Sequence, residues 1–108
     1  MKYGFIDVLI LLLLKEEDMY GYQIVQEIEN RSNSKLSIKE GSLYGPLYRL
    51  ENKGFVSVNK KLVGKRRFRN YYHLETLGLE YLNISLKSFN DLKDGIDAIE
   101  NWKGKENE

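Results

Sequence analysis

Six cations fall within the ten residues from Lys60 to Arg69, namely Lys60, Lys61, Lys65, Arg66, Arg67 and Arg69, and no acidic residue lies among them. The chain holds 17 basic and 16 acidic residues, so the 11 cations elsewhere face all 16 acids, and an acidic body of net −5 carries one segment of +6. That separation lets a chain of formal net charge +1 present a strong local field to a polyanion. Ammonium and guanidinium groups on a hairpin suit phosphates, where they release counterions and supply affinity without choosing a base sequence. The segment lies between two strand-like runs, 55–59 (FVSVN) and 67–74 (RFRNYYHL), with Gly64 placed to turn a hairpin.

A second group of residues precedes the hairpin. If Leu43, Leu47 and Leu50 face inward on a helix over 40–53, the opposite side presents Gly41, Gly45, Tyr48, Arg49 and Asn52, with Ser42 and Tyr44 flanking it and Lys39 just before it. Two glycines four residues apart leave the first turns bare, so backbone and helix N-terminus can approach phosphates or base edges closely. Tyr44, Tyr48, Arg49 and Asn52 offer donors, and Arg49 alone has the fork for a bidentate contact to guanine. Catalysis has little to work with. The one histidine, His73, has no serine or carboxylate placed with it by sequence, no phosphate-binding glycine loop occurs, and no metal-ligand spacing or catalytic residue set appears. The expectation is a non-enzyme without metal or cofactor.

The elements that must position these groups read as helix, helix, helix, hairpin, long helix: a mainly α protein with a small β-hairpin (α+β). A first helix over 5–15 is apolar nearly all round and asks for cover on two sides. Its longest apolar run, Val8 to Leu14, is too short for the roughly 20 residues of a membrane span, and the acidic residues that follow do not suit a signal cleavage site. No cysteine is present, which fits a cytoplasmic protein. A second helix over 20–30 turns Ile24, Val25 and Ile28 inward, and Gly54 stops the third. On the second wing strand, alternation sends Phe68, Tyr72 and Leu74 toward the core and Arg67, Arg69 and Tyr71 away. The last helix, over 76–102, repeats Leu82, Phe89 and Ile96 every seven residues, with Leu92 and Ile99 three after the last two. Those are the a and d positions of a coiled-coil seam, and the seam implies a homodimer in which the crossing helix of a twin supplies the second cover for the first helix. The expected division is 1–75, a winged helix-turn-helix domain, and 76–108, a dimerisation helix and tail.

GSLYGPLYRLENKGFV, from Gly41 to Val56, followed by RRFRNYYHLETLGLEYL, from Arg66 to Leu82, resembles the PadR-like transcriptional regulators, and YGYQI, Tyr20 to Ile24, fits their second helix. Glu75 stands where the family usually has threonine, with Thr76 one place on, which shifts the cap of the last helix without touching DNA contacts. The length implies the small subgroup with a single C-terminal dimerisation helix. The resemblance further implies double-stranded DNA as partner and repression as the mode; two-fold symmetry then dictates an inverted-repeat operator, and the short apolar run implies no membrane. It also implies a hydrophobic channel at the dimer centre, open in several members to flat aromatic or drug-like effectors. The matching positions are Val8, Leu11, Phe89 and Leu92, with Asp7 able to meet a cationic ligand. The rival reading is a winged-helix adaptor or antirepressor that keeps the fold without an operator of its own.

Overall fold

The structure, a computed structural model, describes residues 4–105. Helix α1, Phe5–Leu14, lies at the centre and touches α2 (Gly21–Arg31), α3 (Tyr44–Asn52), strand β3 (Arg67–Leu74) and the long α4 (Thr76–Glu100). Val8, Ile10, Leu11, Leu13 and Leu14 are all buried within the single chain. The expectation that a twin subunit must cover α1 is therefore corrected: the first half of its own α4 turns back onto it, placing Leu82 in the core and Leu86 and Phe89 against it. Only Phe5 and Leu12 of α1 remain largely exposed.

Local chemistry sets the element ends. Past α3, Gly54 adopts φ 75°, and the amides of Gly54 and Phe55 donate to the carbonyls of Glu51 and Leu50 at 3.0 and 2.9 Å, closing a Schellman motif. Asn33, at φ 55°, does the same after α2, one of the few residue types that tolerate that region. The third helix is shorter than expected. A 3-10 turn at Glu40–Ser42 precedes α3, because Pro46 has no N–H to donate and its ring crowds the carbonyl four residues back. The first α-type bond here runs from Leu47 N to Leu43 O, 3.1 Å.

Strand β2, Val56–Val63, pairs antiparallel with β3 from Val56↔Leu74 to Val63↔Arg67, and Gly64 turns the hairpin at φ 74°. Lys60 and Lys61 thus sit on a strand rather than in a loop. A two-residue strand β1, Met19–Tyr20, adds to the far edge of β3 through Met19↔Tyr72 and Tyr20↔Tyr71, giving the sheet order β1-β3-β2. Its brevity hid it from the sequence. Gly78 locks α4 to the sheet: a Cβ there would stand 2.1 Å from the Phe55 carbonyl oxygen, which also accepts the Glu75 amide at 3.0 Å. Beside that contact Phe55 stacks on Tyr81 at 4.7 Å between ring centres.

Beyond Phe89, α4 leaves the globule and continues unbroken through Gly95, which accounts for a longest dimension of 73 Å against 29 and 21 Å. Leu92, Ile96 and Ile99 are exposed on it, Ile99 by 80%. Leu82, expected on the seam, has no exposed surface left for a partner.

Candidate nucleic-acid interface

Leu43, capping the start of α3, and Leu47 and Leu50 on it are buried, which turns Tyr44, Tyr48 and Arg49 outward, with Lys39, Gly41 and Ser42 exposed at its approach. A Cβ at Gly41 would meet nothing within 4 Å, and one at Gly45 only the Arg49 Nη1 at 3.9 Å, so this edge of the helix is bare backbone. Tyr44 leans back over the start of α2, where a Cβ on Gly21 would come within 2.8 Å of its hydroxyl. Burial first, and the charge of Glu40 second, push the Tyr44 phenol above its ordinary pKa.

Arg49 differs from its neighbours. Its Nη2 lies 3.4 Å from Oδ1 of Asp7, a residue of α1 that is 1% exposed and whose Oδ2 is buried without a hydrogen-bond partner. The guanidinium is thus held toward the domain, although the side chain is 48% exposed. Asp7, expected to greet an effector at a channel mouth, instead faces α3. Desolvation outweighs the pull of Arg49 and raises the Asp7 carboxyl above 3.8. In the window from that value up to the raised one the folded chain binds more protons than the unfolded chain, so stability falls as pH rises through it and stays lower above. Asp7→Asn keeps the shape and an acceptor for Arg49 while removing the buried charge. Its melting temperature should equal or exceed that of the native chain near pH 7, and its stability should vary less from about pH 4 upward. A marked drop in melting temperature near neutrality would show that the ion pair is worth more than its desolvation costs.

The wing carries Lys60, Lys61, Lys65, Arg66 and Arg67 exposed along its length and at its turn. Its outer face has planar partners for two cations. Lys61 sits 4.7 Å above the ring of Tyr71 and Arg69 4.2 Å above that of Tyr20, and the two rings meet edge to face at 5.4 Å. Alternation along β3 puts Tyr71 on the face of Arg69, but Tyr20 reaches it only through β1. At the base of the same face His73 Nδ1 lies 2.7 Å from Asp18 Oδ1, and that hydrogen bond raises the imidazole pKa.

Between the start of α2 and the wing strand β3 opens a cleft of about 370 Å³, lined by Tyr20, Gly21 and Tyr22 on one side and Phe68, Arg69, Asn70 and Tyr72 on the other, with Tyr44 of α3 at its edge. Through Tyr44 it connects the start of α3 to the hairpin. The candidate effector residues are divided: Val8 and Phe89 share an apolar groove of about 230 Å³ with Phe5, Leu9, Leu36 and Leu86, whereas Leu11 is buried in the core and Leu92 projects beyond. Among the described residues no group of three or more histidine, cysteine or acidic side chains is placed to hold a metal, and no helix is long and apolar enough to cross a membrane.

The model of the PadR-like family of transcriptional regulators matches residues 10–84, and the chain belongs to that family. Its members are transcriptional regulators and not enzymes. A protein of Lysinibacillus sphaericus is 40% identical over 96 residues, 89% of this chain and 88% of its own. A transcriptional regulator from Clostridium thermocellum, 32% identical, superposes with a TM-score of 0.80 over 87% of this chain and 88% of its own. Bacillus subtilis PadR in complex with operator DNA shares the fold at 24% identity and a TM-score of 0.72, over 77% of this chain and 47% of its own.

Proposed function

We propose that the protein is a sequence-specific regulator, a repressor, that binds double-stranded DNA in the cytoplasm as a homodimer on an inverted-repeat operator. The observation that carries this reading is the placement of the bare, tyrosine-bearing start of α3 on the same side of the domain as the basic wing, with Tyr44 of α3 and Phe68, Arg69 and Asn70 of the wing lining one cleft across β1 and the start of α2, the pairing needed to set a helix in the major groove while a hairpin follows the adjacent backbone. That Bacillus subtilis PadR, of the same fold, is bound to operator DNA supports it. Tyr44 and Tyr48 beside bare Gly41 and Gly45 are the candidates for base and backbone contacts, with Lys39 and Ser42 on flanking phosphates. Arg49 joins them only by leaving Asp7. The exposed Leu92, Ile96 and Ile99 of α4, with Phe89 at their inner end, form the surface for the twin subunit. A flat apolar effector would enter beside Val8 and Phe89, where the apolar groove meets that surface.

The wing's part can be read from salt dependence. Replacing Lys65, Arg66 and Arg67 with alanine should flatten the slope of log K against log salt by about 0.9 for each phosphate that is no longer neutralised, with base preference retained. An unchanged slope would mean that these side chains point to solvent. Duplex binding absent in the native chain even at low salt would favour the adaptor reading.

A further inference from the structure

The wing has two unlike faces. From the tip inward, the outer face pairs Val63 with Arg67, Lys61 with Arg69, Asn59 with Tyr71 and Ser57 with His73. The inner face, by the same register, pairs Leu62 with Phe68, Lys60 with Asn70, Val58 with Tyr72 and Val56 with Leu74. The inner face begins as core, since Val56 and Tyr72 are buried, and alternation carries the same apolar parity outward past the edge of the globule. There Leu62 and Phe68 stand directly opposite each other, 58% and 67% exposed. The core cannot reach them. Phe68 nevertheless lines the cleft shared with Tyr44 of α3, so its ring, with Leu62 opposite it on the same face, stands on the side of the wing that carries the start of α3. Around it lie Lys60, Lys65, Arg66 and Arg67.

An exposed leucine and phenylalanine paired at the end of a hairpin are a solubility liability unless a partner covers them. The charge around them selects that partner. A ring of cations repels a basic surface and draws a polyanion, and the part of a duplex that is both apolar and flanked by phosphates is the row of deoxyribose faces along the rim of the minor groove. We infer that the Leu62–Phe68 pair packs against deoxyribose at the minor groove next to the major-groove site of α3, making the wing an apolar contact as well as an electrostatic one. The inference rests on the DNA reading above and assigns to the wing a part that its charge does not provide. Asn70, one pair inward on the same face, then lies toward the groove floor with an amide able to address minor-groove acceptors.

The experiment uses the full chain and a duplex enriched from a random pool by the native protein. Phe68→Ser and Leu62→Ser should each weaken binding by about 10-fold or more, the scale of one buried apolar side chain. The slope of log K against log salt should not change, because every cation stays in place. Phe68→Leu should restore most of the affinity, and circular dichroism of all three variants should match the native chain, since both positions are exposed in the monomer. Replacing guanine with inosine on the wing side, which removes only the minor-groove amino group, should change affinity for the native protein and less for Phe68→Ser. Serine variants that bind within about twofold of native, while the Lys65, Arg66 and Arg67 alanine variant shows its flattened slope, would overturn this contact and leave the DNA reading standing. Native self-association abolished by Phe68→Ser with operator affinity unchanged would assign the pair to a second copy instead. A pool from which the native protein retains no duplex would overturn the DNA reading and this contact together.

Discussion

Gly45→Glu is expected to abolish operator binding while leaving the protein folded. A side chain at this position meets only the far end of Arg49, so the core is untouched, and glutamate is a better helix residue than glycine by about 0.5–1 kcal/mol. A carboxylate in the first turn of α3 also suits the helix dipole. On DNA the balance reverses, because the charge stands where bare backbone would meet phosphate or base edges, and it lies four residues before Arg49, close enough to draw that guanidinium off Asp7. A loss on the order of 100-fold corresponds to about 3 kcal/mol, less than a buried like-charge contact costs. Footprinting of the variant beside its melting curve provides the check. An unchanged protected site in a folded variant would remove α3 from the interface.

The second large effect is on assembly. Leu92→Asp with Ile96→Asp places two carboxylates on the projecting half of α4, where the free chain exposes both side chains and has no packing to lose. Sedimentation should show a folded monomer where the native chain is expected to run as the proposed dimer, since an unpaired charge buried at a helix seam costs several kcal/mol and two are introduced per subunit. Phe89 is the poorer choice for this test, because it already packs against the core and its removal would disturb the fold as well. Operator affinity should fall with the dimer, as each half-site is then bound alone. A stable dimer from the double variant would place the two-fold contact elsewhere.

The spacing of Leu43, Leu47 and Leu50 defines the buried face of α3, and with it the outward set Tyr44, Gly45 and Tyr48, because a helix has one period and one inward side. The α-helix itself begins at Tyr44, later than the 40–53 pattern suggests. Pro46 is visible in the sequence but does not reveal this, since a proline is compatible with a first turn and the 3-10 break depends on how the preceding carbonyls are shared. The basic hairpin is legible from charge and Gly64. The third strand is not, because two residues show no alternation until a neighbouring edge pairs with them.

The order of the helices and the hairpin, the inward stripes of α2 and α3, the stop at Gly54 and the concentration of cations in the wing can all be read along the chain, because near neighbours decide each of them. Which apolar and charged groups remain available is settled only by the folded chain. Leu82 and Leu11 are spent on the monomer's own core, Phe68 with the same parity as Tyr72 lies beyond it, and Asp7 meets Arg49 across 42 positions of sequence. Periodicity fixes the face on which a side chain stands. Whether that face meets its own domain, a twin or solvent depends on the close docking of distant elements, here set by the approach of Gly78 to the Phe55 carbonyl, which folds the first half of α4 back over α1 and sends the rest outward.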